Sequence, residues 1–373
     1  MTIHNILLKY WAHSNFRPLQ EDIIQSVLDG KDTLALMPTG GGKSICFQIP
    51  AMYKPGICIV VSPLIALMKD QVENLKARGI KAMAIISGMG KREVDIALDN
   101  CIYGDYKFLY LSPERLLSEL VRERIRYMKV NLIAIDEAHC ISQWGYDFRP
   151  PYLHIPELRE LHPDIPVLAL TASATEKVAA DIQDKLNFRN GQVFRKSFER
   201  KNLCYLVYNE EDKFRKLLSV AKNVKGSGIV YVRNRRETQE VSRKLNLQGI
   251  SADYYHAGLD TPTRMKKQSA WKNSDLRVMV ATNAFGMGID KPDVRFVVHL
   301  DLPESLEAYY QEAGRAGRDE LKAYAVLIYN ESDKLLLNKR LEQHFPSVEE
   351  IKHVYHDLGN YYQLAYGAGE GLT

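Results

Sequence analysis

The sequence predicts an α/β protein with two tandem domains, each built on a doubly wound parallel β-sheet. Short apolar runs rich in β-branched residues alternate with longer polar stretches of helical periodicity. This alternation is the pattern of parallel strands that are buried on both faces. The pattern starts again near Cys204, and a chain of 373 residues is too long for one ordinary hydrophobic core.

The first half of the chain contains six apolar runs that predict strands. They are residues 34–37, 57–62, 83–87, 108–112, 132–136 and 167–171. Residues 64–78 and 114–127 lie between them and show helical periodicity. Because the strands are apolar throughout, we expect helices to cover both faces of one parallel sheet.

The second half repeats the pattern, with a predicted helix at residues 237–247. Its predicted strands are residues 229–232, 252–256, 278–282, 296–300 and 323–328. From Glu331 the strand pattern stops, and residues 333–344 and 348–362 predict two helices. The charged segment 198–202 is a plausible hinge. We therefore expect an N-terminal domain at 1–202, a second domain at 203–335 and a helical extension at 336–373.

Composition favours a cytoplasmic protein over a membrane or secreted one. The chain is 46% hydrophobic and 26% charged, no apolar run approaches ~20 residues, and residues 1–5 do not resemble a signal peptide. Five scattered cysteines without a C-x-x-C pair indicate reduced thiols and no zinc site. The net charge of +4 permits a nucleic-acid partner without requiring one.

A phosphate-binding loop is predicted at residues 37–44, Met-Pro-Thr-Gly-Gly-Gly-Lys-Ser, directly after the first strand. Glycines let backbone N–H groups turn onto phosphate oxygens, and the following helix adds its positive end. The strict pattern has glycine where Met37 stands. Lys43 should reach the β- and γ-phosphates, and Ser44 should hold Mg²⁺. The predicted ATP-binding residues of the loop are Thr39, Gly40, Gly41, Gly42, Lys43 and Ser44.

Two acidic residues end the predicted strand in residues 132–139, Leu-Ile-Ala-Ile-Asp-Glu-Ala-His. Ligands of open α/β sheets bind at the carboxyl ends of strands. We expect Asp136 to hold Mg²⁺ and Glu137 to orient and deprotonate the attacking water. The alternative is a pair of acids that only caps a strand end.

Residues 311–318, Gln-Glu-Ala-Gly-Arg-Ala-Gly-Arg, place two arginines three residues apart in the second domain. On a helix, Arg315 and Arg318 would share one face. Across a cleft they would act with Gln311 in catalysis, as arginine fingers that stabilise the leaving phosphate. The alternative is a solvated basic face of a helix.

These motifs, taken in order, resemble those of a superfamily 2 helicase of the DEAH-box type and, within that group, of the RecQ family. The resemblance covers about residues 5–330. The matching segments are residues 37–44, 61–71, 111–115, 136–139, 170–175, 255–259, 281–291 and 311–318. The resemblance implies two RecA-like domains, ATP hydrolysis with Mg²⁺, and 3′ to 5′ travel on single-stranded DNA. It also implies unwinding of forks or junctions in repair and recombination, by a monomeric core associated with the chromosome or nucleoid.

The family resemblance extends to the nucleotide base. Residues 16–20, Phe-Arg-Pro-Leu-Gln, resemble the base-binding motif of RecQ proteins, which implies that Gln20 bonds the adenine edge beside Arg17. The family usually has Gly and Tyr where this chain has Ala12 and His13. In the second domain, the resemblance assigns Gly288 and Asp290 to the ATP cleft.

Residues 142–150, Ser-Gln-Trp-Gly-Tyr-Asp-Phe-Arg-Pro, resemble the aromatic-rich loop of RecQ proteins. Stacked bases contribute ~1–3 kcal/mol each, and Arg149 adds a cationic contact. Three short hydroxyl side chains near strand ends should bind the DNA backbone. The predicted DNA-binding residues are Ser62, Ser112, Gln143, Trp144, Phe148, Arg149 and Thr282. The alternative for this loop is that its aromatic rings pack between the domains.

Two other functions remain open from the sequence. An RNA helicase shares the same general core, and recognition of the 2′-hydroxyl would distinguish it. A nucleotide-switched DNA clamp without autonomous unwinding is the other, because RecQ proteins usually continue into a four-cysteine zinc domain and a winged helix. After Arg318 this chain has no cysteine.

Overall fold

The computed structural model describes residues 1–38, 40–86, 88–145, 147–286 and 291–362. The strands are β1 (Thr33–Leu36), β2 (Ile57–Val61), β3 (Ala82–Ile85), β4 (Phe108–Leu111), β5 (Val130–Ile135), β6 (Val167–Thr171), β7 (Gln192–Arg195), β8 (Leu203–Asn209), β9 (Ser227–Tyr231), β10 (Ala252–Tyr255), β11 (Val278–Ala281), β12 (Val294–His299) and β13 (Ala323–Tyr329). The helices are α1 (Ile3–Trp11), α2 (Gln20–Leu28), α3 (Lys43–Tyr53), α4 (Ile65–Ala77), α5 (Lys91–Tyr103), α6 (Glu119–Arg126), α7 (Pro156–Leu161), α8 (Glu176–Lys185), α9 (Lys213–Asn223), α10 (Arg235–Leu247), α11 (Thr261–Lys272), α12 (Leu306–Ala313), α13 (Glu331–His344) and α14 (Val348–Tyr361).

The strands form two separate sheets, in which every described pair of neighbouring strands is parallel. The first sheet has the order β3-β4-β2-β5-β6-β1-β7, and the second has the order β10-β11-β9-β12-β13-β8. The predicted fold class, two tandem parallel α/β domains, is confirmed. The domain limits at residues 202 and 335 stay a prediction.

Each sheet is buried on both faces, as its apolar strands require. In the first sheet, Ile59 and Ile133 pack on one side, while Cys58 and Val60 pack on the other. Two further clusters cover the two faces of the second sheet. Full burial of one large aliphatic side chain contributes about 1.5–3 kcal/mol, so the sheets are firm platforms for the loops at their edges.

The sequence-based prediction missed two strands, β7 and β8, which both lie at sheet edges. Strand β7 is short and largely exposed. Strand β8 is apolar over residues 203–208, but after the buried Leu203 its residues alternate between half-buried and exposed. The helix predicted over residues 114–127 is wrong in part. A 3₁₀ turn covers Pro113–Leu117, and α6 begins only at Glu119, after the capping residue Ser118.

Among the described residues, no helix is both long enough and apolar enough to cross a bilayer. The two predicted C-terminal helices are present as α13 and α14. Both begin with a capping box, in which the Asn330–Asp333 and Ser347–Glu350 pairs exchange side-chain and backbone hydrogen bonds.

Candidate functional site

The predicted phosphate-binding loop joins β1 to the start of α3. Gly40 and Gly42 have φ values of 78° and 75°, which L side chains rarely adopt. Gly42 is the N-cap of α3 and provides no side-chain hydrogen bond to the helix. The Ile45 N–H donates to the Gly42 carbonyl over 3.2 Å, while Lys43 and Ser44 begin the helix half-buried, at the end that favours an anion. Thr39 lies outside the described residues.

Gln20 and Arg17 hold this loop from the side of α2. The Gln20 Nε2 atom donates to the Gly42 carbonyl over 3.0 Å, and its Oε1 atom accepts from the Arg17 N–H over 2.8 Å. Arg17 donates to the Gly40 carbonyl over 2.6 Å. A Cβ atom on Gly42 would lie 2.4 Å from Gln20 Nε2. Both residues thus fix the backbone of the loop, and their predicted contact with adenine stays a prediction.

A cavity of about 490 Å³ opens beside the loop. Both domains contribute to its wall. It is lined by Leu7, Ala12, His13, Ser14, Asn15, Arg17, Gln20, Gly40, Gly42, Ile45, Pro292 and Arg318. Its volume lies in the range of ~300–1,000 Å³ that is typical of small-molecule and cofactor sites.

The acidic pair follows β5 in a strained turn. Glu137 adopts φ 48° and ψ 47°, the left-handed region that a non-glycine residue seldom occupies. The Asp136 Oδ1 atom accepts from the Glu137 N–H over 3.0 Å, and the Tyr152 hydroxyl donates to the Asp136 carbonyl over 2.9 Å. This turn allows two adjacent carboxylates, which would face opposite sides of a strand, to leave the sheet together.

Burial sets the electrostatics of Asp136. Burial is the largest cause that raises the pKa of its carboxyl, the neighbouring Glu137 also raises it, the charge of Lys43 lowers it, and the resulting pKa is about 6. A buried carboxylate with this environment fits a cation, and Mg²⁺ prefers such oxygen ligands. Asp136 and Ser44 are therefore suitable Mg²⁺ ligands by residue type.

His139 links the acidic turn to the end of β6. Its Nδ1 atom lies 2.8 Å from Thr171 Oγ1 and 3.4 Å from a carboxylate oxygen of Glu137. Burial lowers the pKa of His139 to about 4, so the ring is neutral near pH 7. Thr171 Oγ1 also accepts from the Ser173 N–H, and the Gln311 amide lies 3.5 Å from the Ser173 hydroxyl. A polar chain therefore runs from the acidic turn to the second domain.

The two predicted arginine fingers occupy different places. Arg318 lies against the phosphate-binding loop, because its Cγ atom is 3.2 Å from where a Cβ atom on Gly40 would stand. Arg315 is buried and donates to the carbonyl of Gly286 in its own domain. The expectation that they share a helical face is wrong: α12 ends at Ala313, and a turn with Gly317 at φ 62° follows. Their catalytic roles stay a prediction.

The predicted backbone-binding hydroxyls follow β2, β4 and β11. Ser62, Ser112 and Thr282 are only 1%, 2% and 7% exposed. In the described part of the chain, the hydroxyls of Ser62 and Ser112 make no hydrogen bond. Buried hydroxyls without partners are uncommon and costly. A DNA strand would have to uncover these two groups before it contacted them.

The aromatic loop presents one prominent ring to solvent. Trp144 is 63% exposed, and the Lys177 amine stands 3.1 Å from its ring centroid. Gln143 is also exposed, whereas Phe148 and Arg149 are half-buried. The exposed face of Trp144 supports base stacking better than the alternative of rings packed between domains. Tyr146 lies outside the described residues, as do the predicted ATP-site residues Gly288 and Asp290.

Arg149 ties the aromatic loop to the body of the first domain. Its guanidinium donates to the Pro63 carbonyl over 3.2 Å and to an Asp147 carboxylate oxygen over 3.1 and 3.2 Å. Its backbone N–H donates to the Cys140 carbonyl over 2.8 Å. The predicted DNA contact of Arg149 would therefore compete with these internal bonds.

One group of metal-ligating side chains occurs among the described residues: His139, Cys140 and Asp147, with ligand atoms within 4.8 Å of one another. Asp147 is paired with Arg149, and burial raises the pKa of the Cys140 thiol well above its ordinary value. These contacts give all three residues internal roles. The predicted lack of a zinc site in the whole chain stays a prediction.

Sequence reasoning missed Tyr152, Lys177 and the hydroxyl of Ser173 as parts of the site. Tyr152 and Lys177 lie outside the recognised motifs. Ser173 lies within the segment 170–175, but its bond to Gln311 depends on the packing of the two domains. No local pattern encodes contacts of this kind.

Comparison with known proteins supports the motif order. The profile of the DEAD/DEAH box helicases matches residues 17–182, and that of the helicase conserved C-terminal domain matches residues 210–320. The ATP-dependent DNA helicase RecQ of Haemophilus influenzae is 43% identical over 358 residues, which cover 92% of this chain and 57% of that protein. The probable ATP-dependent DNA helicase RecS of Bacillus subtilis is 40% identical over 357 residues, which cover 94% of this chain and 72% of that protein. This chain belongs to the RecQ family.

Solved structures agree with this assignment at the level of fold. The Mycobacterium smegmatis helicase Lhr, bound to ssDNA and AMP-PNP, has a TM-score of 0.72 at 19% identity over 89% of this chain and 48% of that one. The Saccharomyces cerevisiae protein Dbp5, bound to RNA and ADP BeF3, has a TM-score of 0.71 at 19% identity over 93% and 92%. The RecQ-family chain thus has the two RecA-like domains that its motifs implied. It spans between 54% and 58% of the length of three curated RecQ relatives.

Proposed function

We propose that this chain is an ATP-driven DNA motor that moves 3′ to 5′ along single-stranded DNA and separates duplexes, forks or junctions during repair and recombination. One observation carries the proposal. A cavity of nucleotide size adjoins the phosphate-binding loop, and Arg318 of the second domain lies against Gly40 of that loop. A nucleotide bound there would contact both domains, so its binding and hydrolysis would change how they pack.

The first domain supplies the binding and proton-transfer groups. Lys43 and the N-terminal end of α3 bind the phosphates, while Gln20 and Arg17 fix the backbone of the loop through the Gly42 and Gly40 carbonyls. Glu137 accepts a proton from the attacking water. Ser44 and Asp136 would hold Mg²⁺, which neutralises charge on the β- and γ-phosphate oxygens when it is bound.

The second domain supplies positive charge and a link to the acidic turn. Arg318 would stabilise the charge that develops on the leaving phosphate, with Arg315 as the second predicted arginine. Gln311 contacts Ser173, which leads through Thr171 to His139. Loss of the γ-phosphate would relax these contacts and let the domains separate, which is a hinge-type change between two nucleotide states.

Recognition of DNA would be independent of sequence. Trp144 offers an exposed ring to a base, and Ser62, Ser112 and Thr282 at strand ends would contact the DNA backbone once a bound strand has uncovered them. Binding that depends on phosphate charge weakens steeply with salt, because bound counterions are released. We propose a monomeric core that acts on chromosomal DNA in the cytoplasm.

A forked-duplex assay tests the proposal. We expect ATP hydrolysis to be stimulated by single-stranded DNA far more than by RNA of the same sequence, and forks with a 3′ loading strand to be unwound. Forks with only a 5′ strand should not be unwound. Equal stimulation by RNA would favour an RNA helicase, and DNA-stimulated hydrolysis without strand separation would favour a nucleotide-switched clamp.

A further inference from the structure

Tyr152 is fully buried beneath the turn that carries the acidic pair. Its hydroxyl donates to the Asp136 carbonyl over 2.9 Å. Burial raises the pKa of this phenol well above its ordinary value, so it remains a hydrogen-bond donor at all working pH values. No sequence motif identified Tyr152, and the hydrolysis scheme above does not use it.

The bond from Tyr152 acts on one peptide unit. The carbonyl of Asp136 and the N–H of Glu137 belong to the same planar group, whose orientation sets where the Glu137 side chain points. Tyr152 holds the carbonyl end, and the Asp136 carboxylate holds the N–H end over 3.0 Å. A residue in the left-handed region costs ~1–2 kcal/mol, so it persists only when its surroundings fix it.

The same tyrosine is joined to the aromatic loop. It lies in the 3₁₀ turn Pro150–His154, which begins directly after the loop, and its N–H donates to the Arg149 carbonyl over 2.9 Å. Arg149 in turn holds Asp147 and the Pro63 carbonyl. Two residues separate Arg149 from Tyr152, and both are prolines, so little slack exists between the loop and the acidic turn.

We propose that Tyr152 is a positioning residue. Its hydrogen bond to the peptide between Asp136 and Glu137 fixes the direction of the Glu137 side chain, and its link to Arg149 makes that direction depend on the conformation of the aromatic loop. This inference rests on the proposed function, in which Glu137 takes the proton from water. A displacement of the loop by a bound strand would move Arg149, then Tyr152, then the peptide that orients the base. The direct contacts with ATP proposed for Gln20, Arg17 and Lys43 lie on other elements, so ATP affinity should change little when Tyr152 is altered.

The variant Tyr152→Phe removes one hydroxyl and keeps the ring. We expect kcat for DNA-stimulated ATP hydrolysis to fall about tenfold, which corresponds to about 1.4 kcal/mol of barrier, while KM for ATP and ATP affinity change less than twofold. The matched control is Tyr309→Phe, which also removes a buried hydroxyl, one without a hydrogen-bond partner among the described atoms. This control should keep the wild-type kcat.

A double-mutant cycle with Trp144→Ala separates positioning from simple loss of structure. If Tyr152 passes on the state of the loop, the stimulated rate of the double variant should equal that of the slower single variant. Thermal unfolding and ATP affinity are measured beside each rate. An unchanged kcat in Tyr152→Phe, a parallel loss of ATP affinity, or additive losses in the cycle would each overturn the inference.

Measuring DNA-stimulated hydrolysis of the wild-type protein distinguishes failure of this inference from failure of the proposed function. Absence of DNA-stimulated hydrolysis in the wild type would reject the motor itself. Stimulated hydrolysis in the wild type with an unaffected Tyr152→Phe variant would reject only the role of Tyr152.

Discussion

The two sheets repeat one strand order but differ in the loop that should bind phosphate. Along the order β3-β4-β2-β5-β6-β1, the corresponding strands of the second sheet are β10-β11-β9-β12-β13-β8. Strand β1 thus corresponds to β8, and α3 corresponds to α9. Both helices even begin with a lysine, Lys43 in α3 and Lys213 in α9.

The residues that join β1 to α3 and β8 to α9 determine which of the two domains can bind an anion at this place. After β1, Gly42 is the N-cap of α3 and leaves the first-turn N–H groups free of side-chain caps. After β8, residues 210–212 are Glu-Glu-Asp, and the Asp212 carboxylate accepts from the Arg215 N–H over 2.9 Å. A carboxylate at this position both occupies the helix end and repels phosphate. Architecture alone therefore does not make a phosphate site.

At the strands farther along the sheet from this loop, the two domains differ less. Ser112 follows β4 and Thr282 follows the corresponding strand β11, so a hydroxyl residue occupies the same strand end in both domains. Both are predicted to bind the DNA backbone. A motor that grips one strand with two similar domains would need such repetition on its DNA side and asymmetry on its ATP side.

The largest expected effect contrasts the two helix-initiating lysines. Lys43→Ala should abolish ATP hydrolysis, a loss of about 10³-fold or more in kcat, with little change in stability. Lys213 instead bonds the Leu300 carbonyl and Asp333, both over 2.7 Å. Lys213→Ala should lower the free energy of unfolding by about 1–3 kcal/mol and leave hydrolysis intact.

Steady-state ATPase assays and urea unfolding on both variants check this contrast. An active Lys43→Ala protein would refute the assignment of the cleft. Loss of hydrolysis in a folded Lys213→Ala protein would show that the second copy also takes part in nucleotide binding.

Loop geometry gives the next effect. A Cβ atom at Gly42 would strain a backbone at φ 75° and press on the Gln20 amide, so Gly42→Ala should weaken ATP binding by about tenfold or more. Gly30 has a similar φ of 80°, but its added Cβ would meet nothing within 4 Å. Gly30→Ala should therefore lower stability by only about 1 kcal/mol and leave nucleotide affinity unchanged. Equal effects of the two variants on affinity would show that the contact with Gln20 is irrelevant.

Trp144→Ala tests whether the DNA side acts through the exposed ring. Loss of one stacked base costs ~1–3 kcal/mol, so the DNA concentration for half-maximal ATPase stimulation should rise about five- to hundredfold, and basal hydrolysis should persist. Tyr103 on α5 is 83% exposed and belongs to none of the predicted motifs. Tyr103→Ala should match the wild type in DNA titrations. Equal loss of basal and stimulated rates in Trp144→Ala would make the loop structural.

These contrasts also show which features of the structure could be predicted from the sequence. The strands buried on both faces were predictable because they are mostly apolar, as in β2 with Ile-Cys-Ile-Val-Val. The phosphate loop and the acidic pair were predictable because their chemistry needs neighbouring residues in a fixed order. The bond from Gln20 to Gly42, the burial of Arg315 against Gly286 and the hydroxyl of Tyr152 were not predictable, because each joins residues that only the folded chain brings together.

Asp136 should make stability depend on pH in the absence of Mg²⁺ and nucleotide. Its pKa in the folded protein is raised to about 6 from an ordinary value of 3.8, mainly by burial. The folded state therefore binds the proton more tightly than the unfolded chain does. This stabilisation is complete below pH 3.8 and is lost as the pH rises through about 6.

The variant Asp136→Asn cannot ionise at this position. Relative to the wild type, its free energy of unfolding should rise between pH 4 and pH 7 by about 2 kcal/mol, while ATP hydrolysis is lost. Urea unfolding at a series of pH values measures the difference. A constant difference across this range would mean that Asp136 is not desolvated in the free protein, and the case for a cation site there would weaken.

The smallest expected effect is a change in stability on replacing alanine by glycine, whose sign depends on the backbone conformation at each position. Ala12 caps α1 with φ 56° and ψ 30°, in the left-handed region that favours glycine. Ala12→Gly should therefore raise the free energy of unfolding by up to about 1 kcal/mol. Ala180 is an exposed residue in the interior of α8, and there the same substitution should lower stability by about 0.5–1 kcal/mol. Urea unfolding of both variants should give opposite signs, and a destabilised Ala12→Gly protein would show that Ala12 does not occupy the left-handed region in solution.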